Sequence, residues 1–226
     1  MTTQHPAADQ RRTVPHRTVP HRTVPNREEG GQDGAPASSP AQAPPTSAPA
    51  PATRRAPSLV LVATGDGKGK TTAAMGTVLR ALERSWGVCV VQFVKSGKWH
   101  SGEAHILAGL GAEWHTMGDG FTWESEHLGH SAEMAQAAWR VASEAINSGR
   151  YQLVVLDEIT YPVNWGWIRR DDVVGCISGR PEHTNIFLTG RDAPAELVAI
   201  ADTVTEMRNV KHAYGAGIRA AKGIDF

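Results

Sequence analysis

The chain has 226 residues, 23 basic and 23 acidic side chains, and two cysteines. Because it has no apolar stretch of 18 residues and no secretory signal region, we expect a soluble, cytoplasmic protein without a membrane partner. We also expect no nucleic-acid partner. Two cysteines far apart in sequence predict reduced core thiols and exclude a disulfide framework.

The first 57 residues differ in composition from the rest of the chain. They hold 11 of the 14 prolines and none of the Phe, Tyr, Trp or Lys residues, and they repeat the unit RTVPH, RTVPH, RTVPN from Arg12 to Asn26. So little apolar surface cannot offset the entropy of ordering the backbone. We therefore predict a disordered Pro/Arg-rich tail over 1–57, either a spacer or a basic docking segment, and one folded domain over 58–226.

Apolar runs alternate with helical patterns along the folded part. Four runs are almost continuously apolar, as in parallel strands covered on both faces: 58–64, 88–95, 151–158 and 185–191. The predicted helices are 70–85, 131–148 and 194–201. Weaker strand signals occur at 112–117 and around 203–212. The alternation predicts an α/β fold like that of P-loop NTPases, an open, mostly parallel sheet flanked by helices with right-handed crossovers.

The segment TGDGKGKTT, residues 64–72, lies between the first strand and the first helix. Its glycines allow unusual dihedrals, and amides at the start of the helix can converge on phosphate. Lys70 adds a cation, and the hydroxyl of Thr71 can hold Mg²⁺. The segment therefore predicts a P-loop for ATP with Mg²⁺, against the alternative of a glycine-rich turn without a ligand. Its predicted binding residues are Thr64, Gly65, Asp66, Gly67, Lys68, Gly69, Lys70, Thr71 and Thr72.

Two positions of this loop are unusual. Thr64 stands where the general P-loop pattern has its first glycine. Asp66 brings a carboxylate close to the expected phosphates, and like charges at short range repel. We therefore expect Asp66 to face away from the phosphates or toward the metal.

Acidic and basic residues follow two later strands. The run LVVLDE ends in Asp157 and Glu158, and one or both should hold the metal, directly or through water. Arg191 follows the strand after that, at the sheet edge where ligands bind. It either contacts the nucleotide or forms a structural ion pair.

The loop GDGFTWESEHLGH, residues 118–130, contains two large aromatic side chains outside any periodic pattern. Phe121 and Trp123 either anchor the loop to the core or form a flat apolar wall for a large planar ligand. The residues alone leave both interpretations open.

The sequence resembles the ATP:corrinoid adenosyltransferases of the cob(I)yrinic acid a,c-diamide type in six motifs over 58–226. In chain order they are TGDGKGKTTAA, VQFVK, GFTW, VVLDE, LTGR and the C-terminal ADTVTEMRNVKHAYGAGIRAAKGIDF. GFTW and the C-terminal segment distinguish this family from other P-loop proteins. The family also has threonine at the position of Thr64, whereas Asp66 stands where it has asparagine.

The resemblance implies a reaction. The Co(I) centre of a reduced corrinoid, cobyrinic acid a,c-diamide or cobalamin, attacks C5′ of ATP and expels triphosphate. Lys70, the loop amides and Mg²⁺ held by Thr71 with Asp157 or Glu158 would stabilise the leaving group. No general base is required.

The resemblance also implies further roles and partners. Phe121 and Trp123 would press on the lower corrin face and exclude the axial ligand of Co(II), and Lys211 with His212 would close the site. The implied partners are a flavin-type reductase and a second copy in a homodimer. Two other functions stay open: a plain P-loop ATPase or kinase, and a nucleotide-gated corrinoid carrier.

Overall fold

The computed structural model of the chain describes residues 54–95, 101–118 and 128–225. The predicted tail, apart from residues 54–57, lies outside these ranges. So do both aromatic residues of the GFTW motif, Phe121 and Trp123.

Six strands form one sheet in the described part of the chain. They are β1 (Val60–Thr64), β2 (Val88–Phe93), β3 (Glu113–Met117), β4 (Leu153–Asp157), β5 (Asn185–Thr189) and β6 (Thr203–Glu206). Their order is β3-β2-β4-β5-β1-β6, and every neighbouring pair is parallel. Every residue of β2 and β4 is buried, as expected for central strands covered on both faces. The α/β prediction is confirmed.

The described helices are α1 (Lys70–Glu83), α2 (Gly102–Gly109), α3 (Leu128–Asn147), α4 (Thr160–Asn164), α5 (Arg170–Ser178) and α6 (Ala195–Ala199). The sequence predicted α1, α3 and α6 but missed the other three. The apolar residues of α2 do not gather on one face, α4 is a single turn that contains Pro162, and α5 contains Gly175. None of the described helices combines the length and apolar character that a membrane span requires.

Two apolar layers cover the sheet, one on each face. Val154 and Val155 are neighbours on β4, and they belong to different layers because successive side chains of a strand point to opposite faces. The layer of Val155 includes Val78 of α1, whereas the layer of Val154 includes Ala138 of α3 and Ile177 of α5. Both cysteines are free, and Cys89 is fully buried, as the sequence predicted for a core thiol.

The functional edge of the sheet is the one at which the parallel strands end. β1 ends at Thr64, β4 at Asp157 and β5 at Thr189, and α1 begins at Lys70 beside them. The 203–212 signal forms a strand only as far as Glu206, and the chain then leaves the sheet at this same edge. The topology therefore brings together side chains that are far apart in sequence.

Gly190, directly after β5, provides a test of this packing. Its φ is +143°, and an added Cβ would lie 2.0 Å from Thr160 Oγ1. We expect Gly190→Ala to lower the free energy of unfolding by about 1–3 kcal/mol because both the backbone and the contact oppose it. Gly76→Ala is the control, since nothing lies within 4 Å of its added Cβ. It should stabilise α1 by about 0.5–1 kcal/mol. Urea unfolding measures both, and an unchanged stability for Gly190→Ala would refute the packing argument.

Candidate active site

The phosphate loop is closed by the segment that follows β6. The Gly67 N–H donates to Met207 O at 2.6 Å. A Cβ at Gly65 would lie 2.5 Å from that same carbonyl oxygen, and a Cβ at Gly67 would lie 2.8 Å from Arg208 C. Glycine is therefore required at both positions by a close backbone crossing. The Gly67 amide, which the sequence assigned to phosphate, is engaged by the protein itself in this structure.

Lys70 lies within the loop. Its Nζ donates to Gly65 O at 2.6 Å and to Gly67 O at 2.9 Å. Burial lowers the pKa of Lys70, and the nearby negative charge of Glu158 opposes that shift. The ammonium is held by neutral carbonyls, so an incoming phosphate would offer it a stronger, charged partner.

Asp157 is fully buried and fully satisfied. Its Oδ1 accepts from Thr189 Oγ1 at 2.6 Å and from Thr71 Oγ1 at 2.9 Å. Its Oδ2 accepts from Lys95 Nζ at 2.7 Å and from Gln92 Nε2 at 3.0 Å. Four donors on two oxygens hold this carboxylate in one orientation.

Glu158 has the opposite character. It follows β4 with a φ of +67°, a region that non-glycine residues seldom adopt, and its N–H donates to Thr189 Oγ1 at 2.9 Å. Burial raises the pKa of Glu158, and the Asp157 charge adds to the effect. Its Oε2 is buried without a hydrogen-bond partner among the described residues. A carboxylate oxygen left open in this way suits a cation such as Mg²⁺.

Asp66 and Arg191 meet across the mouth of the loop. Arg191 Nε lies 3.7 Å from Asp66 Oδ1, and both side chains are more than half exposed. The Arg191 cation beside Asp66 thus offsets part of the repulsion expected between this carboxylate and bound phosphates. An exposed pair of this kind contributes little stability, so Arg191 can be drawn to a ligand at small cost.

A cavity of about 1080 Å³ connects these groups. Residues 66–72 of the loop line it together with Glu158, Arg191 and, from the C-terminal segment, His212 and Tyr214. A Lys68–Asp225 ion pair of 2.6 Å ties that segment to the loop. The cavity exceeds the roughly 300–1,000 Å³ of a typical small-molecule site.

Thr64 does not line this cavity, although the sequence placed it among the nucleotide-binding residues. Its hydroxyl accepts from the Ala193 N–H at 3.1 Å, so it fastens the end of β1 to the chain after β5. Gly65 does not line the cavity either, and the backbone of Met207 packs against it. The structure does bring Asp66 through Thr72, Glu158 and Arg191 to one cavity.

Sequence reasoning assigned no role to three residues that the site depends on: Gln92, Lys95 and Thr189. Gln92 lies opposite Asp157 in the register of β2 and β4. Its Oε1 accepts from Thr116 Oγ1 at 3.1 Å and Trp114 Nε1 at 3.3 Å, which orients its amide toward Asp157. The sequence did contain a signal for Gln92, because it is a polar residue in an otherwise apolar strand.

A separate polar cluster lies at the opposite edge of the sheet. Ligand atoms of Cys89, Glu113 and His115 lie within 4.8 Å of one another. Glu113 accepts from the Tyr151 hydroxyl, and one of its oxygens is 2.9 Å from His115 Nε2. Burial raises the pKa of Cys89 to about 12, so the thiol stays neutral. The hydrogen bonds of Glu113 and the burial of Cys89 account for this cluster, in which Glu113 is exposed and His115 half-buried.

Thr189 tests the importance of satisfying Asp157. Thr189→Val keeps the side-chain shape but removes a donor to a buried carboxylate and an acceptor for the Glu158 N–H. We expect the free energy of unfolding to fall by about 1–3 kcal/mol. Thr205→Val on the exposed strand β6 is the matched control and should change it by less than about 0.5 kcal/mol. Equal effects of the two substitutions would contradict the role given to this network.

Comparison with known proteins identifies relatives of the whole folded part. The family of ATP:corrinoid adenosyltransferases BtuR/CobO/CobP matches residues 56–226. The corrinoid adenosyltransferase CobA of Salmonella typhimurium is 40% identical over 168 residues, which cover 74% of this chain and 85% of that protein. The corrinoid adenosyltransferase of Pseudomonas aeruginosa is 42% identical over 170 residues, 74% of this chain and 83% of that protein.

Proposed function

The chain belongs to the ATP:corrinoid adenosyltransferase family, and from that membership we propose that it transfers the 5′-deoxyadenosyl group of ATP to a corrinoid, with release of triphosphate. The observation that carries the proposal is the convergence of Lys70, Thr71 and Glu158 on one cavity in a chain of this family. In the reaction, the Co(I) electron pair forms the Co–C5′ bond. The C5′–O bond breaks, and its electrons leave with the triphosphate.

The main task of the protein in this reaction is to stabilise a leaving group. Negative charge grows on the triphosphate as the C5′–O bond breaks, and fixed positive charge nearby lowers the barrier. Lys70 supplies such a charge from within the loop, and Arg191 supplies another from the cavity wall. No proton has to be removed from the nucleophile, so the site needs no general base.

We propose that Mg²⁺ binds here through the Thr71 hydroxyl and Glu158. The unpartnered Glu158 Oε2 fits a hard cation, whereas both oxygens of Asp157 are already occupied. Asp157 would instead orient Thr71, whose hydroxyl donates to it. When bound, Mg²⁺ supplies neutralising charge to the triphosphate.

The residues that would bind the corrinoid are assigned from the resemblance alone. The GFTW motif resembles that of the family, and Phe121 and Trp123 lie outside the described residues. We propose that they cover the lower face of the corrin ring. Apolar side chains offer the cobalt no lone pair, so Co(II) loses its axial ligand and becomes easier to reduce.

Two partners complete the proposal. A flavin-type reductase would supply the electron for Co(I), and this part rests on the resemblance alone. A second copy in a homodimer has support in the C-terminal segment, where large apolar side chains are strongly exposed. They are Val210, Tyr214, Ile218 and Ile224, at 88%, 81%, 59% and 76%. Monomeric proteins seldom leave such a group uncovered.

The reaction can be tested anaerobically with ATP and chemically reduced cobalamin. We expect the spectrum of a light-sensitive product with a Co–C bond, and one intact triphosphate released for each molecule of this product. Lys70→Met should lower the rate about 10²- to 10³-fold because leaving-group stabilisation is lost. Arg80→Met, on the exposed face of α1, is the control. Formation of ADP or orthophosphate would instead indicate an ATPase or kinase, and ligand binding without a Co–C product would indicate a carrier.

The role of the aromatic pair can be tested separately. We expect Trp123→Ala and Phe121→His to keep ATP binding but to lose adenosylation when Co(II) is reduced by a biological reductase. Trp86→Ala, at a side chain 40% exposed, is the control. Binding of ATP is measured by calorimetry, and product by its absorbance. Wild-type rates in both variants would refute the assignment to the corrin face.

A further inference from the structure

The turn after β2 is strained. Val94 has a φ of +65°, and the Lys95 N–H donates to Phe93 O at 2.6 Å across it. This is a three-residue turn with a positive central φ, a rare and unfavourable form, and a β-branched residue suits it least. Such strain persists only where the surrounding structure enforces it.

Gly118, after β3, leaves room for this turn. A Cβ at Gly118 would lie 2.4 Å from Val94 C and 2.6 Å from Val94 O. The two backbones are therefore in direct contact, and any other residue at 118 would push the turn away. The position of the chain at Val94 therefore depends on glycine at 118.

The result of the turn is the position of Lys95. Its Nζ lies 2.7 Å from Asp157 Oδ2 and 3.5 Å from Thr71 Oγ1. Among the described residues it is the one cation within ion-pair distance of Asp157. Lys95 also lines the cavity that Lys70 and the phosphate loop line, and its side chain is 32% exposed.

In P-loop proteins, Mg²⁺ lies beside the threonine at the start of the helix and the acidic residue at the strand end. The Lys95 ammonium occupies the corresponding position here. Once Mg²⁺ binds Thr71, two cations next to the same hydroxyl repel each other. The four-carbon stem of lysine is flexible and here partly exposed, so the ammonium can turn into the cavity. There a bound polyphosphate would be the most highly charged anion, beside the cavity-lining carboxylates of Asp66, Glu103, Glu158 and Asp225.

We propose that Lys95 is a second polyphosphate-binding cation, which rests on Asp157 in the nucleotide-free protein and moves to the phosphate chain when the magnesium complex binds. The inference rests on the proposed function, because it requires a polyphosphate ligand as the new partner of the displaced ammonium. Lys95 then acts with Lys70 on the charge that develops on the leaving triphosphate.

Calorimetric titration with magnesium tripolyphosphate tests the proposal without a corrinoid. We expect Lys95→Met to weaken binding about 10- to 100-fold, as for the loss of one charged hydrogen bond, and Lys95→Arg to weaken it less. Lys222→Met makes the same charge change at an exposed position outside the cavity lining and should leave binding unchanged. Unchanged or tighter binding by Lys95→Met would overturn the proposal, because Lys95 would then serve only as the counter-ion of Asp157.

A crystal of the wild-type protein with magnesium tripolyphosphate gives a second measurement, which stands even if Lys95→Met fails to fold. The expected result is Lys95 Nζ within hydrogen-bond distance of a phosphate oxygen and away from Asp157. An ammonium still on Asp157 would overturn the proposal. The adenosyl-transfer assay of the wild-type protein does not depend on either result. A protein that transfers the adenosyl group but fails both binding tests would contradict this inference alone, whereas a protein that transfers none would contradict the proposed function.

Discussion

The buried carboxylate of Asp157 organises the functional edge of the sheet. It lies at the end of β4 with no exposed surface, and an ionised group there is tolerated only if its lone pairs are matched by donors. The donors come from four different places: the start of α1, the end of β2, the turn after it and the end of β5. One charge thereby fixes the relative positions of the phosphate loop and three strand ends.

This arrangement separates the tasks of the two neighbouring acids. All four hydrogen bonds of Asp157 are made within the protein, so it holds other groups in place. Glu158 lines the cavity, and its buried Oε2 has no hydrogen-bond partner among the described residues. The roles proposed for both carboxylates concern charge and position, and the proposed reaction requires no proton transfer from either. A site of this kind suits a reaction in which a metal centre attacks carbon and an anion departs. The cavity needs concentrated positive charge, and Lys70, Arg191 and Lys95 supply it.

Local patterns in the sequence were sufficient for the strands, three of the helices, the phosphate loop and the acidic strand end. Each of these depends on residues close together in the chain, so periodicity and motif spacing reveal them. The loop glycines show the limit of this reasoning. Their freedom suggested phosphate contacts, yet at Gly65 and Gly67 the structure places Met207 and Arg208, some 140 residues away in sequence, against the loop.

Other features escaped prediction for related reasons. Val94 adopts a backbone conformation that its own side chain disfavours, so local propensity argued against the turn that delivers Lys95. The pairing of Asp66 with Arg191 depends on the order of strands, which one sequence does not contain. Helix α4 includes Pro162 and forms because Thr160 and Val163 are buried by the fold around it.

The division of labour between the two acids is the central claim, and paired measurements on Asp157→Asn and Glu158→Gln test it most directly. Electron paramagnetic resonance gives the affinity for Mn²⁺ in the presence of ATP, and urea unfolding gives the stability without ligands. Glu158→Gln should lose most of the Mn²⁺ affinity without losing stability, because we propose that its carboxylate binds the metal and its Oε2 has no hydrogen-bond partner among the described residues. Asp157→Asn should lower the free energy of unfolding by about 1–3 kcal/mol, since its amide would face two donors. The reverse pattern, with Mn²⁺ affinity lost at Asp157 and stability lost at Glu158, would contradict the account.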